Sequence, residues 1–195
     1  MENSETKTSA ARAKIVSTAL RLFNEQGVHH TGNEQIISES GVAKMTFYNH
    51  FPTKSKLIAE YLRLRDERWF KLINEFTNDP KITGSDRVLA IFDALGDWFK
   101  EPDFYGCPFI RGLSDFDSED DPEVTACVAS HFGKTGELIL KLLTEANVKN
   151  PEKLVPPLLS LVAGAIVVSH ATKSSAAAQV NRETAKILID LAKGK

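Results

Sequence analysis

The chain has little of what marks secreted, membrane-bound or disulfide-built proteins. Its 195 residues contain only two cysteines, Cys107 and Cys127, too few for a disulfide framework, so a reducing cytoplasmic setting is expected. Residues 1–14 hold no apolar segment and do not resemble a signal peptide. No apolar run is expected to be long enough to cross a bilayer as a charge-free helix, so no membrane association is predicted.

Sequence motifs of common enzyme classes are also missing. There is no nucleophile elbow, phosphate-binding loop, HExxH zinc motif or dinucleotide-binding glycine pattern, and no strand-like alternation of apolar and polar residues. The protein is therefore not expected to be an enzyme or to need a cofactor or metal. One enzyme hypothesis stays open, in which Cys107, His131 and Asp115 are nucleophile, base and orienting acid, although their spacing does not single them out.

Charge is distributed unevenly along a chain whose net charge is −2. Residues 1–71 contain 11 Lys and Arg against 8 Asp and Glu, and the remainder contains 13 against 18. The first part is thus mildly basic and the second acidic, which places any nucleic-acid contact in the first part. A solvated surface of mixed charge would give the same counts, so charge alone does not decide.

The segment from Gly41 to Lys56 carries the strongest signal. A turn at Gly41-Val42 precedes a short predicted helix in which Phe47 and Phe51, four residues apart, share an apolar face. Another face carries Lys44, Thr46, Tyr48, Asn49 and His50. Such a helix can lie in a DNA groove while a small core holds it from behind.

Two more helices are predicted before this segment. One runs from Ala10 to Gln26 and stops at Gly27, and a polar arm with Lys7, Arg12 and Lys14 begins the chain. A second covers Glu34 to Ser40, with Thr31-Gly32-Asn33 expected to cap its start and Gly41 to end it. The unit is helix, glycine-containing turn, helix, which is the helix-turn-helix arrangement.

These residues resemble the tetracycline-repressor (TetR) family of bacterial regulators. The resemblance covers residues 9–69, and its motifs are ALRLFNEQG at 19–27, Ile36, Gly41-Val42, TFYNHF at 46–51 and KSKL at 54–57. It implies an all-α homodimer with DNA-binding heads, a helix-turn-helix motif at about 32–51, and ligand-binding bodies. It also implies that ligand binding weakens DNA binding. Four positions depart from the usual family pattern, namely Gly32, Ala43, Met45 and Phe47.

The resemblance assigns roles at DNA to particular side chains. Tyr48, His50 and Lys54 match positions that usually bind phosphate, and base edges are expected to meet Lys44, Met45, Thr46 and Asn49. The full predicted DNA-binding set is Arg12, Asn33, Lys44, Met45, Thr46, Tyr48, Asn49, His50 and Lys54. For any one of these residues, simple solvent exposure is the alternative.

The rest of the chain, residues 70–195, is predicted to be a helical ligand-binding and dimerisation domain. A long helix capped by Thr53 would join it to the head and transmit ligand binding by changing the spacing of two heads. Further helices are expected to begin at Ser85-Asp86, within 106–116, at Asp121-Pro122, at Pro156-Pro157 and at Arg182. The last two are predicted to form a dimeric four-helix contact, with burial inside one chain as the alternative.

Ligand contacts are harder to predict. The candidates are Phe92, Trp98, Cys107, Phe109, Asp115, His131 and His170, with core packing as the alternative for the aromatic residues. Asp115, His131 and His170 could orient a ligand or bind a metal, although their long and irregular separation is weak evidence for a metal site. Cys107 is a candidate redox sensor, although a buried structural thiol is commoner.

The sequence as a whole predicts a ligand-responsive repressor that binds a palindromic operator as a homodimer. It would work in the bacterial cytoplasm, associated with the nucleoid, and respond to an unidentified small-molecule inducer. The alternative outside the enzyme class is a helical adaptor that has lost DNA binding, for which the changes at Gly32 and Ala43 leave room.

Overall fold

The computed structural model describes the backbone of residues 2–112 and 121–194, and side chains from Ala10 onward. Within these ranges all regular secondary structure is helical, which agrees with the predicted all-α class. The helices are α1 (Glu2–Gln26), α2 (Asn33–Ser40), α3 (Lys44–His50), α4 (Lys54–Thr77), α5 (Asp86–Trp98), α6 (Pro108–Gly112), α7 (Pro122–Glu145), α8 (Val155–Thr172) and α9 (Ala176–Lys193). A short 3-10 helix, Pro151–Lys153, precedes α8.

Two helices begin earlier than the sequence predicts. Helix α1 starts at Glu2 rather than Ala10, because no glycine or proline interrupts residues 2–26. The predicted polar arm is therefore helical. Helix α9 starts at Ala176 rather than Arg182, since its alanine-rich first turn favours helix even though it has few large apolar residues to show a periodic pattern.

The first of two compact units comprises residues 1–65 and 111–128. Its core is built from the apolar faces of α1 to α4, where Leu22, Phe23, Ile36 and Phe47 are at most 1% exposed. The Phe23 ring meets the Tyr61 ring edge to face, with centroids 5.4 Å apart. Helices α2 and α3 both pack on α1, so a fixed core supports the helix-turn-helix motif.

The turn between α2 and α3 depends on Gly41. Its backbone lies in the left-handed region, with φ 67° and ψ 22°, and its N–H donates to the carbonyl of Ile37. A side chain is disfavoured in this conformation, which is why glycine ends the helix here as the sequence predicts.

The predicted caps are partly wrong. Helix α2 has Gly32 at its N-cap and no side-chain cap, because the buried Thr31 hydroxyl instead donates to the carbonyl of Gly27 at 2.9 Å. The prediction that Thr53 caps α4 is confirmed, since its hydroxyl accepts a hydrogen bond from the N–H of Lys56 at 3.3 Å.

The second unit comprises residues 66–110 and 129–195. Helices α5, α8 and α9 pack on one another, and Phe92, Leu95, Leu158 and Ile189 are buried among its core residues. An ion pair of 2.8 Å between Arg182 and Asp93 joins α9 to α5 at the edge of this core.

Helix α8 corrects the expectation that no segment could span a membrane. Residues 151–172 have mean hydropathy 1.9 and are, among the described residues, the one helix with the length and composition of a membrane span. Core helices of soluble proteins meet the same two criteria, so this is weak evidence for a membrane. Only 28% of the apolar stretch is buried, because one side packs in the second unit while Val167 and Val168 are each 49% exposed.

Candidate functional site

Helix α3 separates its side chains into a buried and an accessible set. Phe47 is 0% exposed and fastens the helix to the core, whereas Met45 is 73% exposed. Lys44 and Asn49 are exposed, and the other polar residues predicted for DNA, Thr46, Tyr48 and His50, are half-buried. One side of the helix is therefore buried in the core, and the other side presents polar side chains that a partner can reach.

Lys54 is a half-buried cation at the start of α4. It forms no hydrogen bond or ion pair within the described part of the chain, and burial lowers its pKa. An anion next to this ammonium would offset its desolvation, and the free N–H groups of the first turn of α4 would also favour an anion there. A phosphate contact by Lys54 stays a prediction, which its half-buried position at the start of α4 favours.

Arg12 is held more firmly than a mobile arm would be. Its guanidinium is 2.8 Å from Glu60 and lies 5.4 Å above the ring centroid of Phe51. Hydrogen bonds from Arg63, and next those from Arg12, lower the pKa of Glu60 to about 2. A phosphate contact by Arg12 stays a prediction, and it would have to compete with Glu60.

Two residues at the beginning of α2 border the same region. Asn33 is half-buried, and its side-chain oxygen is buried without a hydrogen-bond partner in the described structure. Glu34 is exposed and lies 2.6 Å from the ammonium of Lys44. Sequence reasoning selected Asn33 but missed Glu34, because the pattern of α2 alone does not show that its second residue reaches α3.

The second unit contains a mainly apolar pocket. Its walls are formed by Trp69, Cys107, Ile110, His131, Phe132, Thr135, Leu159, Val162, Ala163 and Ile166. Cys107 is 6% exposed and His131 is 5% exposed, so both predicted ligand contacts lie on this wall within a covered environment. The enclosed space is about 10 Å³, enough for about one water molecule, so a larger ligand would bind here only if the wall side chains move apart.

The Asp66 carboxylate orients the His131 side chain, which lies on the pocket wall. Its Nδ1 is 2.8 Å from Asp66, which also pairs with Lys134 at 2.8 Å. The Phe109 ring stacks on the imidazole at 3.7 Å between centroids. Burial lowers the pKa of His131, against the opposing effect of Asp66, so the neutral ring is favoured near neutral pH.

The remaining predicted ligand residues are dispersed. Phe92 and Trp98 are buried on α5 and do not belong to the pocket wall described above. Phe109 packs behind His131, and the His170 ring lies beside Gly106 and Phe104. Asp115 lies outside the described residues, and so does any pairing of it with His131 or Cys107.

Trp69 is a pocket residue that the sequence reasoning missed. Its indole N–H is buried and has no hydrogen-bond acceptor in the described structure. A buried donor without an acceptor is unfavourable, and an oxygen atom of a bound molecule would relieve it. Its place in the apolar pattern of α4 indicates only core packing, so no sequence signal separates it from its neighbours.

Comparison with known proteins supports the interpretation of the first unit. Residues 15–61 match the family described as bacterial regulatory proteins, tetR family. The HTH-type transcriptional regulator YxaF of Bacillus subtilis is 37% identical over 87 residues, 44% of each chain. The regulator LmrA of the same organism is 49% identical over 49 residues, 25% of this chain and 26% of its own. The chain thus aligns with less than half the length of these relatives.

Solved structures resemble this chain over nearly its whole length. SCO4454, a TetR-family regulator from Streptomyces coelicolor, has a TM-score of 0.84 and 24% identity, covering 94% of this chain and 96% of its own. A regulator from Saccharomonospora viridis in complex with choline has a TM-score of 0.72 and 20% identity, covering 93% and 96%. These similarities establish the fold. The matched segment, residues 15–61, contains the helix-turn-helix motif and is similar to the tetR family of bacterial regulatory proteins.

Proposed function

We propose that this protein is a transcription regulator that binds a palindromic operator as a homodimer and is released by a small molecule. The observation that carries the proposal is the accessible polar side of α3, supported from behind by the fully buried Phe47. A helix held in this way can enter the major groove with its N-terminal residues against base edges. Such a protein would act in the cytoplasm.

Lys54 provides a direct test of DNA binding. The Lys54→Ala variant should bind all duplexes more weakly, because a phosphate contact carries no sequence information. The slope of log affinity against log salt concentration should fall by about 1. Fluorescence anisotropy with a labelled duplex at several salt concentrations measures both effects.

Lys149→Ala is the matched control, since it removes an exposed lysine from the second unit. It should leave affinity and salt slope unchanged. Equal slopes for Lys54→Ala and the parent protein would show that Lys54 does not contact phosphate.

Selection of genomic fragments by the purified protein would test the regulator assignment as a whole. A regulator of this kind should enrich a small set of promoter fragments that share an inverted repeat, because a two-fold dimer binds two related half-sites. Absence of any enriched inverted repeat would favour the helical adaptor. The family that residues 15–61 match does not favour the enzyme hypothesis.

The dimer is proposed to form through α8 and α9. Large apolar side chains that remain exposed on these helices are Val167, Val168, Val180, Ile187 and Leu191, with exposures of 49% to 67%. Isolated exposed apolar residues are common, but five of them on two helices that pack together indicate an interaction surface. A second copy would cover them with the same surface, as two-fold symmetry requires.

The inducer is proposed to enter the pocket beside Trp69 and His131. The wall favours a compact, mainly apolar molecule with an oxygen atom that accepts a hydrogen bond from the Trp69 indole. The Saccharomonospora viridis relative in complex with choline supports small-molecule binding by proteins of this fold. The inducer acts only through a difference in affinity between the DNA-binding and released conformations.

A filled pocket should abolish this response. Ala163 is a half-exposed pocket residue, and Ala163→Phe would occupy space that a ligand needs. In a thermal-shift screen of compact oxygen-containing apolar compounds, binders should stabilise the parent protein but not the variant. Equal shifts for both proteins would place the binding site elsewhere.

A further inference from the structure

An ion pair connects the two helices of the helix-turn-helix motif. The Lys44 ammonium at the start of α3 is 2.6 Å from the Glu34 carboxylate in the first turn of α2. The two side chains are 64% and 70% exposed, respectively. Pairs as exposed as this contribute little to stability, and the preference for an acid in the first turn of α2 does not require that acid to contact Lys44.

Glu34 contacts the residue that begins helix α3. Lys44 is the first residue of α3, and the N-terminal residues of a recognition helix are those that reach base edges. A carboxylate in contact with that lysine lies near the phosphates of any bound duplex, where it weakens binding to DNA in general. Glu34 therefore needs a compensating partner on the DNA if binding is to be tight.

The pair offers a hydrogen-bond donor directly beside an acceptor. The ammonium of Lys44 has three N–H groups, and the carboxylate of Glu34 has lone pairs beyond those facing Lys44. In the major groove a G·C base pair presents two guanine acceptors, N7 and O6, followed by the N4 donor of cytosine. An A·T pair has its donor between two acceptors, with a methyl group beyond them. The donor-acceptor order of the ion pair is complementary to G·C.

We propose that Glu34 and Lys44 together read one G·C base pair in each half of the operator. The Lys44 ammonium donates to guanine, and the Glu34 carboxylate accepts from N4 of cytosine. This inference rests on the proposed DNA-binding function and adds Glu34 as a residue that determines specificity. At a non-operator sequence Glu34 lacks its cytosine donor and repels nearby phosphates. The pair therefore strengthens binding to the operator and weakens binding to other sequences.

Selection from a pool of random duplexes by the full-length protein tests the proposal. The parent protein should enrich sites with G·C at one position of each half-site. Glu34→Gln should lower that preference roughly tenfold and shift it toward A·T, because a glutamine amide pairs well with adenine. Glu39→Gln is the matched control, since it makes the same charge change in α2 but its residue pairs with Arg21.

A charge exchange gives a second, stricter test. The double variant Glu34→Lys/Lys44→Glu retains an ion pair between α2 and α3 but reverses donor and acceptor. It should therefore prefer C·G where the parent protein prefers G·C. Both positions are exposed, so the fold does not depend on the order of the charges.

The outcomes separate the two proposals. Unchanged base preferences in Glu34→Gln and in the double variant, with an inverted repeat still enriched, overturn the role of Glu34 and leave the regulator assignment standing. If the parent protein enriches no sequence at all, the regulator assignment fails and this inference fails with it. A loss of preference in Glu39→Gln equal to that in Glu34→Gln also overturns the inference, because it shows an effect of net charge alone.

Discussion

At the scale of single residues, Glu60 is an acid of the first unit that pairs with two arginines. This carboxylate receives hydrogen bonds from Arg63 at 3.0 Å and 3.1 Å and pairs with Arg12 at 2.8 Å. Two arginines therefore hold this acid in the ionised state, and the Arg12–Glu60 pair joins α1 to α4. The same carboxylate pairs with Arg12, whose side chain stays exposed, and thereby limits the positive charge available to DNA.

The lowered pKa of Glu60 makes part of the stability depend on pH. Because the pKa falls from 4.5 to about 2 on folding, the stabilisation is complete above pH 4.5 and is lost as the pH falls toward 2. Glu60→Gln should lower the free energy of unfolding at pH 7 by about 1 kcal/mol, a value reduced by solvent screening. The difference from the parent protein should shrink between pH 4.5 and pH 3.

Urea unfolding at a series of pH values checks this prediction. Glu137→Gln is a suitable control, because Glu137 is exposed and forms no ion pair in the described structure. A difference between Glu60→Gln and the parent protein that stays constant down to pH 3 would contradict the assignment of the stabilisation to ionised Glu60.

At the scale of elements, the turn between α2 and α3 determines how the recognition helix is presented. Gly41 has φ 67° and Gly32 has φ −85°, so the two glycines flanking α2 have different backbone requirements. An added Cβ would meet no atom within 4 Å at either position. Any difference between substitutions at these positions therefore reflects backbone conformation and helix capping rather than steric clash.

Alanine substitutions should have opposite effects at the two glycines. Gly41→Ala should destabilise the protein by about 1 kcal/mol, because an L side chain is disfavoured in the left-handed region. Gly32→Ala should be neutral or stabilise by up to about 1 kcal/mol, because it reduces the entropy of the unfolded chain. Urea midpoints of both variants measure the contrast, and similar destabilisation by both would show that φ is not the cause.

The elements also show where the sequence suffices. Phe47 and Phe51 are buried and four residues apart, so helical periodicity predicts their common face. The caps of α2 were predicted wrongly because a threonine hydroxyl has several local acceptors, and Thr31 bonds to the preceding turn instead. The starts of α1 and α9 were missed because polar and alanine-rich turns carry no apolar period.

At the scale of the whole molecule, the exposed apolar side chains of α8 and α9 are the basis of the proposed dimer. Leu191 is 67% exposed and Ile187 is 60% exposed, although α9 is otherwise packed on α5 and α8. The high mean hydropathy of residues 151–172 has the same explanation in this proposal, because a helix buried first in its own chain and then in a dimer is apolar on most sides.

A charge placed on this surface should separate the subunits. Leu191→Lys should shift the protein from dimer to monomer and weaken binding to a palindromic duplex, since each head alone holds only one half-site. Analytical ultracentrifugation measures the first effect and anisotropy the second. Leu140→Lys is the control, because it alters another exposed leucine, 38% exposed and on α7. A dimer that survives Leu191→Lys but not Leu140→Lys would place the interface elsewhere.

The sequence by itself determined the helical class, the helix-turn-helix motif and the resemblance to the tetR family, because apolar spacing, Gly41 and the local motifs act within a few residues of one another. Only the tertiary structure decided which distant groups meet. It brings Glu34 to Lys44, Glu60 to Arg12, Asp66 to His131, and Trp69 into a pocket wall. Such partnerships depend on packing between helices, and neither helical period nor residue type encodes which exposed acid will face which base.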